Sequence, residues 1–149
     1  MKILEDVQEK KPFDFSNCPY VTQTFKTKLD VGDYMCILED GFFPKISFER
    51  KSINDLYGTM GGGYPRFKRE LLRAKELQIR LFLIIEGSMT KVAKGHNRSA
   101  MSGETMIKKL MTLWIRYDLY PIFCKDRAEA VQYIYSFFCS IGWNKAKTK

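Results

Sequence analysis

A chain of 149 residues, 45% hydrophobic and 28% charged, has the size and composition of one folded domain, expected to span 1–149. No apolar run approaches the roughly 18 residues of a membrane helix. Met1-Lys2-Ile3-Leu4-Glu5-Asp6 also turns acidic before any signal-peptide core, which argues against export or membrane insertion and for a cytoplasmic protein. The net charge of +8 is uneven: the first 65 residues carry two more acids than bases, and the rest ten more bases than acids. Carboxylates gathered in one half suit a metal, and bases in the other suit a polyanion.

Ile3-Leu4, opening into Glu5-Asp6, reads as a short buried strand ending in carboxylates. Pro12 and Pro19 bracket a loop, and Tyr20 to Leu29 alternates loosely as a strand. Tyr34 to Glu39 is a third strand, Asp40-Gly41 a hairpin turn, and Lys45 to Lys51 the returning strand, so the first half reads as a meander. Ser52 is placed to cap a helix running to about Met60. Gly61-Gly62-Gly63 breaks it, as a flexible corner that would let a polyanion approach closely. Tyr64 to Gln78 is the next helix. Leu81-Phe82-Leu83-Ile84-Ile85 is an apolar run suited to a strand covered on both faces.

Residues 87–100 are polar and basic and read as a mobile loop. Met106, Ile107, Leu110, Leu113, Trp114 and Tyr117 form a helical stripe expected in the core. Pro121 to Cys124 is a last strand. Asp126-Arg127-Ala128-Glu129 resembles a capping box opening a helix with Ala130, Val131, Ile134, Phe138 and Ile141 on one side. Residues 142–149, with Lys145, Lys147 and Lys149, read as a frayed basic tail. Strands followed by strand–helix alternation imply an α/β domain with a mixed sheet covered by helices. Cys18, Cys36, Cys124 and Cys139 include no CxxC pair and only His96 to assist them, so they read as reduced, mostly buried thiols.

The chemistry lies around Gly32-Asp33 and Phe48-Glu49-Arg50-Lys51-Ser52-Ile53-Asn54-Asp55. Side chains two apart share a strand face, so Glu49 and Lys51 sit together while Phe48 and Arg50 point the other way. With the turn centred on Gly41 and Phe42, Asp33 falls opposite Arg50, beside both. Paired carboxylates repel without a cation, and an all-oxygen set suits Mg²⁺ or Mn²⁺. Lys51 is then placed to orient water or to meet charge on a phosphate. Taken alone, Glu49-Arg50-Lys51 also reads as an exposed charged strand end.

Gly32-Asp33 followed by Glu49-Arg50-Lys51-x-x-x-Asp55 resembles the nuclease motif of the XPF-type structure-specific endonucleases. That family has the restriction-endonuclease-like fold, a mixed β-sheet flanked by α-helices. Ile3 to Glu9 is similar to the family's first strand and Leu83-Ile84-Ile85-Glu86-Gly87 to a later one, so the likeness covers about residues 2–140. It implies a Mg²⁺- or Mn²⁺-dependent DNA endonuclease. Asp33 and Glu49 would ligate the metal, with Asp6 in or beside its shell; Glu9, Arg50, Lys51 and Asp55 match the remaining catalytic motif positions. Asp55 is expected to orient Arg50 or Lys51 by a salt bridge. Val7 and Gln8 stand where Thr and Arg are usual, so a positive group beside the site is missing. The 149 residues carry no tandem helix-hairpin-helix module. The likeness is thus to the stand-alone nucleases of phages and prophages, acting in the bacterial cytoplasm on duplex or branched DNA.

Arg66, Arg69 and Arg73 fall within about 60° on their helix at about 100° per residue, a row that suits a phosphate backbone or, equally, a solvated face with Glu70 and Glu76. Lys91, Lys94 and Arg98 form a second DNA-contacting candidate, with His96 placed on phosphate or solvent rather than in catalysis. Tyr133, Tyr135 and Phe137 leave apolar surface for a homodimer through the C-terminal helices. The alternative is a non-catalytic DNA-binding partner subunit on the same fold; a weaker one is an enzyme acting on RNA.

Overall fold

The computed structural model describes residues 1–147. In chain order the elements are β1 (Lys2–Asp6), β2 (Gln23–Thr27), β3 (Tyr34–Ile37), β4 (Ile46–Ser52), α1 (Ile53–Met60), α2 (Tyr64–Glu76), β5 (Arg80–Glu86), α3 (Met89–Ala93), α4 (Gly103–Tyr117), β6 (Tyr120–Cys124) and α5 (Arg127–Lys147). The helix starts follow side-chain caps. Ser52, Ser88 and Ser102 each accept the backbone N–H three residues on, and Asp126 accepts that of Glu129 at 2.8 Å.

The strands form one mixed sheet in the order β2-β1-β3-β4-β5-β6. β1 is antiparallel to β3, and β3 to β4; β4, β5 and β6 run parallel. The expected meander is corrected at β2, which pairs in parallel with the outer side of β1 instead of lying between β1 and β3. The connection of residues 7–22 makes this crossover, and its Phe13, Phe15 and Cys18 are buried in the sheet's core.

The expected tight hairpin is also corrected. β3 ends at Ile37 and β4 starts at Ile46, and the single ladder pair is Tyr34 with Phe48. Pro44 offers no N–H to lengthen that ladder. Asp33 thus falls one position from the expected pairing and comes level with Glu49.

Each face of the sheet carries a core. On one, α5 packs Ile134 and Phe138 against Ile3, Tyr34, Phe48 and Ile84. Phe48 is fully buried, stacked on Phe82 and edge-on to Phe137 and Phe138, a burial that contributes about 2–3 kcal/mol. On the other, α1, α2 and α4 pack Leu56, Phe67, Leu71, Met106 and Leu110 against Leu83 and Ile85. Cys18, Cys36 and Cys124 are buried in the fold.

Four further expectations are adjusted. Residues 87–100 contain α3, whose Val92 is fully buried and whose carbonyl accepts the Tyr57 hydroxyl at 2.8 Å. Trp114 is 41% exposed, at the margin of the α4 stripe and edge-on to Tyr120. Tyr135 is buried, its hydroxyl taking the Tyr20 N–H. Lys145 and Lys147 belong to the last turn of α5; Lys149 lies outside the described residues. Among the described residues, no helix is long and apolar enough to cross a membrane.

Candidate active site

The two strand faces separate the motif residues. Glu49 and Lys51 point toward the α1/α2 side, and Lys51 Nζ lies 3.3 Å from Glu49 Oε1 and over the Phe67 ring. Asp33 reaches the same point from the start of β3, where one carboxylate oxygen accepts the Arg50 backbone N–H at 2.7 Å. Asp6, at the end of β1, donates its own N–H to the Asp33 carbonyl at 2.8 Å. Its carboxylate accepts the backbone N–H groups of Gln8 and Leu29. Glu5, one residue earlier, is buried and turns to the opposite face of the sheet.

Burial, with Glu9 and Glu70 nearby, pushes Asp33 up to about 7, against the Arg50 N–H and Lys51. Burial and the Asp33 charge likewise hold Glu49 well above the ordinary carboxylate range. A half-buried and a buried acid with one ammonium make a site short of positive charge, and its donors are all oxygen. Among the described residues, no three His, Cys, Asp or Glu side chains form a ready metal cage. Two carboxylates with the remaining positions left to water is nevertheless how Mg²⁺ is commonly held, so the residues fit that ion.

These groups lie in a cleft of about 1260 Å³. Arg66 and Arg73 of α2 line it, as do Asp55 of α1 and His96 and Arg98 of the segment before α4. Arg69, Lys91 and Lys94 are exposed but do not line the cleft. On α2, Arg69 turns away from the core stripe of Phe67, Leu71 and Ala74, whereas Arg66 and Arg73 border it. Asp55 is exposed; the expected salt bridge to Arg50 or Lys51 is absent among the described residues, because the Ser52 cap sets Asp55 on the outer side of the first turn.

Glu9 and Arg50 meet behind the sheet, away from Glu49. Arg50 gives Nε and Nη2 to the two Glu9 oxygens at 3.0 and 3.1 Å, and Nη1 to Glu86 at 3.0 Å. Arg127 donates to the same Glu86 oxygen at 2.7 Å and to the carbonyls of Lys11 and Pro12. The Arg50 side chain is 8% exposed and that of Glu9 5%. This network ties β1, β4, β5 and α5 together at the end of the sheet where the acids sit.

Sequence reasoning missed Glu70 and Arg127. Glu70 lies between the α2 core stripe and its arginines, so position on the helix was the one available signal; Arg127 offered none beyond its place in a capping box. Glu70 Oε1 accepts the Gly32 N–H at 3.0 Å. Gly32 has φ +75°, and a Cβ there would lie 2.0 Å from Ser47 Oγ, so the turn into Asp33 requires glycine.

A mixed sheet of this topology flanked by helices is the restriction-endonuclease-like fold. Residues 6–137 match the ERCC4 domain, and the chain belongs to that family. Among solved structures it is similar to XPF from Aeropyrum pernix, with a TM-score of 0.67 and 20% identity over 91% of this chain and 63% of that one. It is also similar to XPF from Aeropyrum pernix in complex with DNA, with a TM-score of 0.68 and 16% identity over 97% of this chain and 66% of that one. The chain thus spans just under two thirds of the length of those chains, and the likeness speaks for the fold. No curated protein sequence matches it.

Proposed function

We propose that the chain is a divalent-cation-dependent DNA endonuclease that hydrolyses phosphodiester bonds, with branched or flap DNA as its substrate class and phage replication, recombination or repair as its setting. The observation that carries this reading is the half-buried Asp33 and buried Glu49 beside Lys51 in a cleft bordered by arginines. Asp33 and Glu49 would hold Mg²⁺ or Mn²⁺, with Asp6 close by. Bound there, the ion supplies Lewis acidity toward water and toward a phosphate oxygen. Lys51 orients the attacking water or meets charge developing on the phosphate. Arg66, Arg73 and Arg98 take the phosphate backbone, with Arg69, Lys91 and Lys94 available only to DNA that extends past the cleft. Asp55 stands at the rim. Glu9 and Arg50 act from behind the sheet, as positioning residues for the strand that carries Glu49.

The test is cleavage of linear, flap, forked and four-way DNAs with Mg²⁺ or Mn²⁺. Asp33→Ala and Glu49→Ala are expected to lower the rate about 1,000-fold or more, the loss of several kcal/mol of transition-state stabilisation, while DNA binding survives. Full activity in EDTA counts decisively against the reading. A protein that shifts every DNA in gels and cuts none is instead a non-catalytic DNA-binding partner.

We also propose a homodimer through α5. Tyr133 is 39% exposed there and borders, with Phe137 and Ile141, a groove of about 550 Å³. Light scattering is expected to give twice the mass of the chain, falling to one chain in Tyr133→Asp; a monomeric wild type refutes it.

A further inference from the structure

The segment that ends in Asp33 is pinned from helix α2. Arg73 Nη1 donates to the Asp30 carbonyl at 3.1 Å, and Glu70 Oε1 accepts the Gly32 N–H at 3.0 Å. Ser47 Oγ, from β4, donates to the Val31 carbonyl at 2.7 Å. Glu70 lines the same cleft as Asp33 and Glu49. One carboxylate therefore fixes the turn that presents Asp33, and it comes from the helix whose Arg66 and Arg73 line the cleft.

We propose that Glu70 is a positioning residue that couples the seat of Asp33 to α2, so that a divalent cation at the acids and DNA phosphate on α2 strengthen each other's binding. This rests on the nuclease reading above. Phosphates drawn to Arg66 and Arg73 settle α2, and α2 carries Gly32, and with it Asp33, through one carboxylate. The coupling is reciprocal: the factor by which DNA tightens the cation is the factor by which the cation tightens DNA.

Screening of the acids' charge by the cation would also tighten DNA, and the variants separate the two causes. Glu70→Gln removes the charge but keeps an acceptor for the Gly32 N–H; Glu70→Ala removes both. Glu70→Met, of similar size and without the acceptor, replaces the alanine variant if that does not fold. The experiment titrates a labelled forked DNA by fluorescence anisotropy in EDTA and in Ca²⁺, with thermal melting of each protein in both buffers. In the wild type, Ca²⁺ is expected to tighten DNA binding about 5- to 100-fold. Glu70→Gln is expected to keep that gain within about 3-fold, and Glu70→Ala to lose it while still melting cooperatively.

Equal losses in the glutamine and alanine variants, or no loss in either, overturn the proposal. So does a wild type that Ca²⁺ stabilises to heat without any change in DNA affinity, which leaves the nuclease reading standing. A wild type that responds to Ca²⁺ in neither measurement overturns both.

Discussion

Replacing Asp33 by Asn is expected to raise the stability of the metal-free protein at pH 8 by about 2–4 kcal/mol, a melting temperature higher by about 5–10 °C. Burial pushes the Asp33 carboxyl from 3.8 up to about 7, so the folded protein holds a proton there that the unfolded chain has already released. For an acid raised in this way, stability falls as pH rises between those two values. The penalty is absent below pH 3.8 and complete above about 7. The advantage of Asp33→Asn should therefore grow from pH 5 to pH 8, since Asn can still accept the Arg50 N–H that Asp33 accepts now. A thousandfold excess of Mg²⁺ over Kd should reverse the ranking, because only the wild type gains binding energy, about 4.1 kcal/mol. Melting curves in EDTA and in Mg²⁺ across that pH range decide it. A variant no more stable than the wild type in EDTA at pH 8 would remove the basis for reading this site as strained until a cation fills it.

Arg50→Ala is expected to cost about 3–5 kcal/mol, or roughly 10 °C in melting temperature, because it leaves the buried Glu9 carboxylate with no cation and Glu86 with Arg127 alone. Arg50→Lys should recover less than half of this, since one ammonium cannot reproduce three donors in a fixed fork. Below its melting point, Arg50→Ala should still be stabilised by Mg²⁺, because Asp33 is held by the backbone N–H of residue 50 and not by its side chain. Chemical denaturation followed by a Mg²⁺ titration separates the two roles. A variant of undiminished stability that no longer responds to Mg²⁺ would place the guanidinium in the reaction itself and not behind the sheet.

The two cases differ in how far they were legible. Glu49 and Lys51 share a face because strand side chains alternate, a purely local rule, and Asp33 follows from the proximity of two neighbouring strands. The same alternation sends Arg50 to the other side. That its partners are Glu9 and Glu86, and that Arg127 shares Glu86 with it, depends on segments that approach only after the sheet is assembled, between 36 and 41 residues apart in the chain. Motif likeness places Glu9 and Arg50 among the catalytic residues; in the structure the two side chains pair with each other away from Glu49, the observation behind proposing them as a brace.

Local rules, then, decided the order of strands and helices, the caps at Ser52 and Asp126, the apolar stripes of α2 and α4, and the acid–lysine pair on β4. Each depends on spacings of two to four residues, within which backbone geometry dictates which side chains are neighbours. Tertiary structure alone decided the outer place of β2, the level at which Asp33 meets Glu49, and the entry of Glu70 into the site. These depend on which loop closes over which, and there the burial of Phe13 and Phe15 and the hydrogen bond from Gly32 to Glu70 outweigh any preference written into the neighbouring residues.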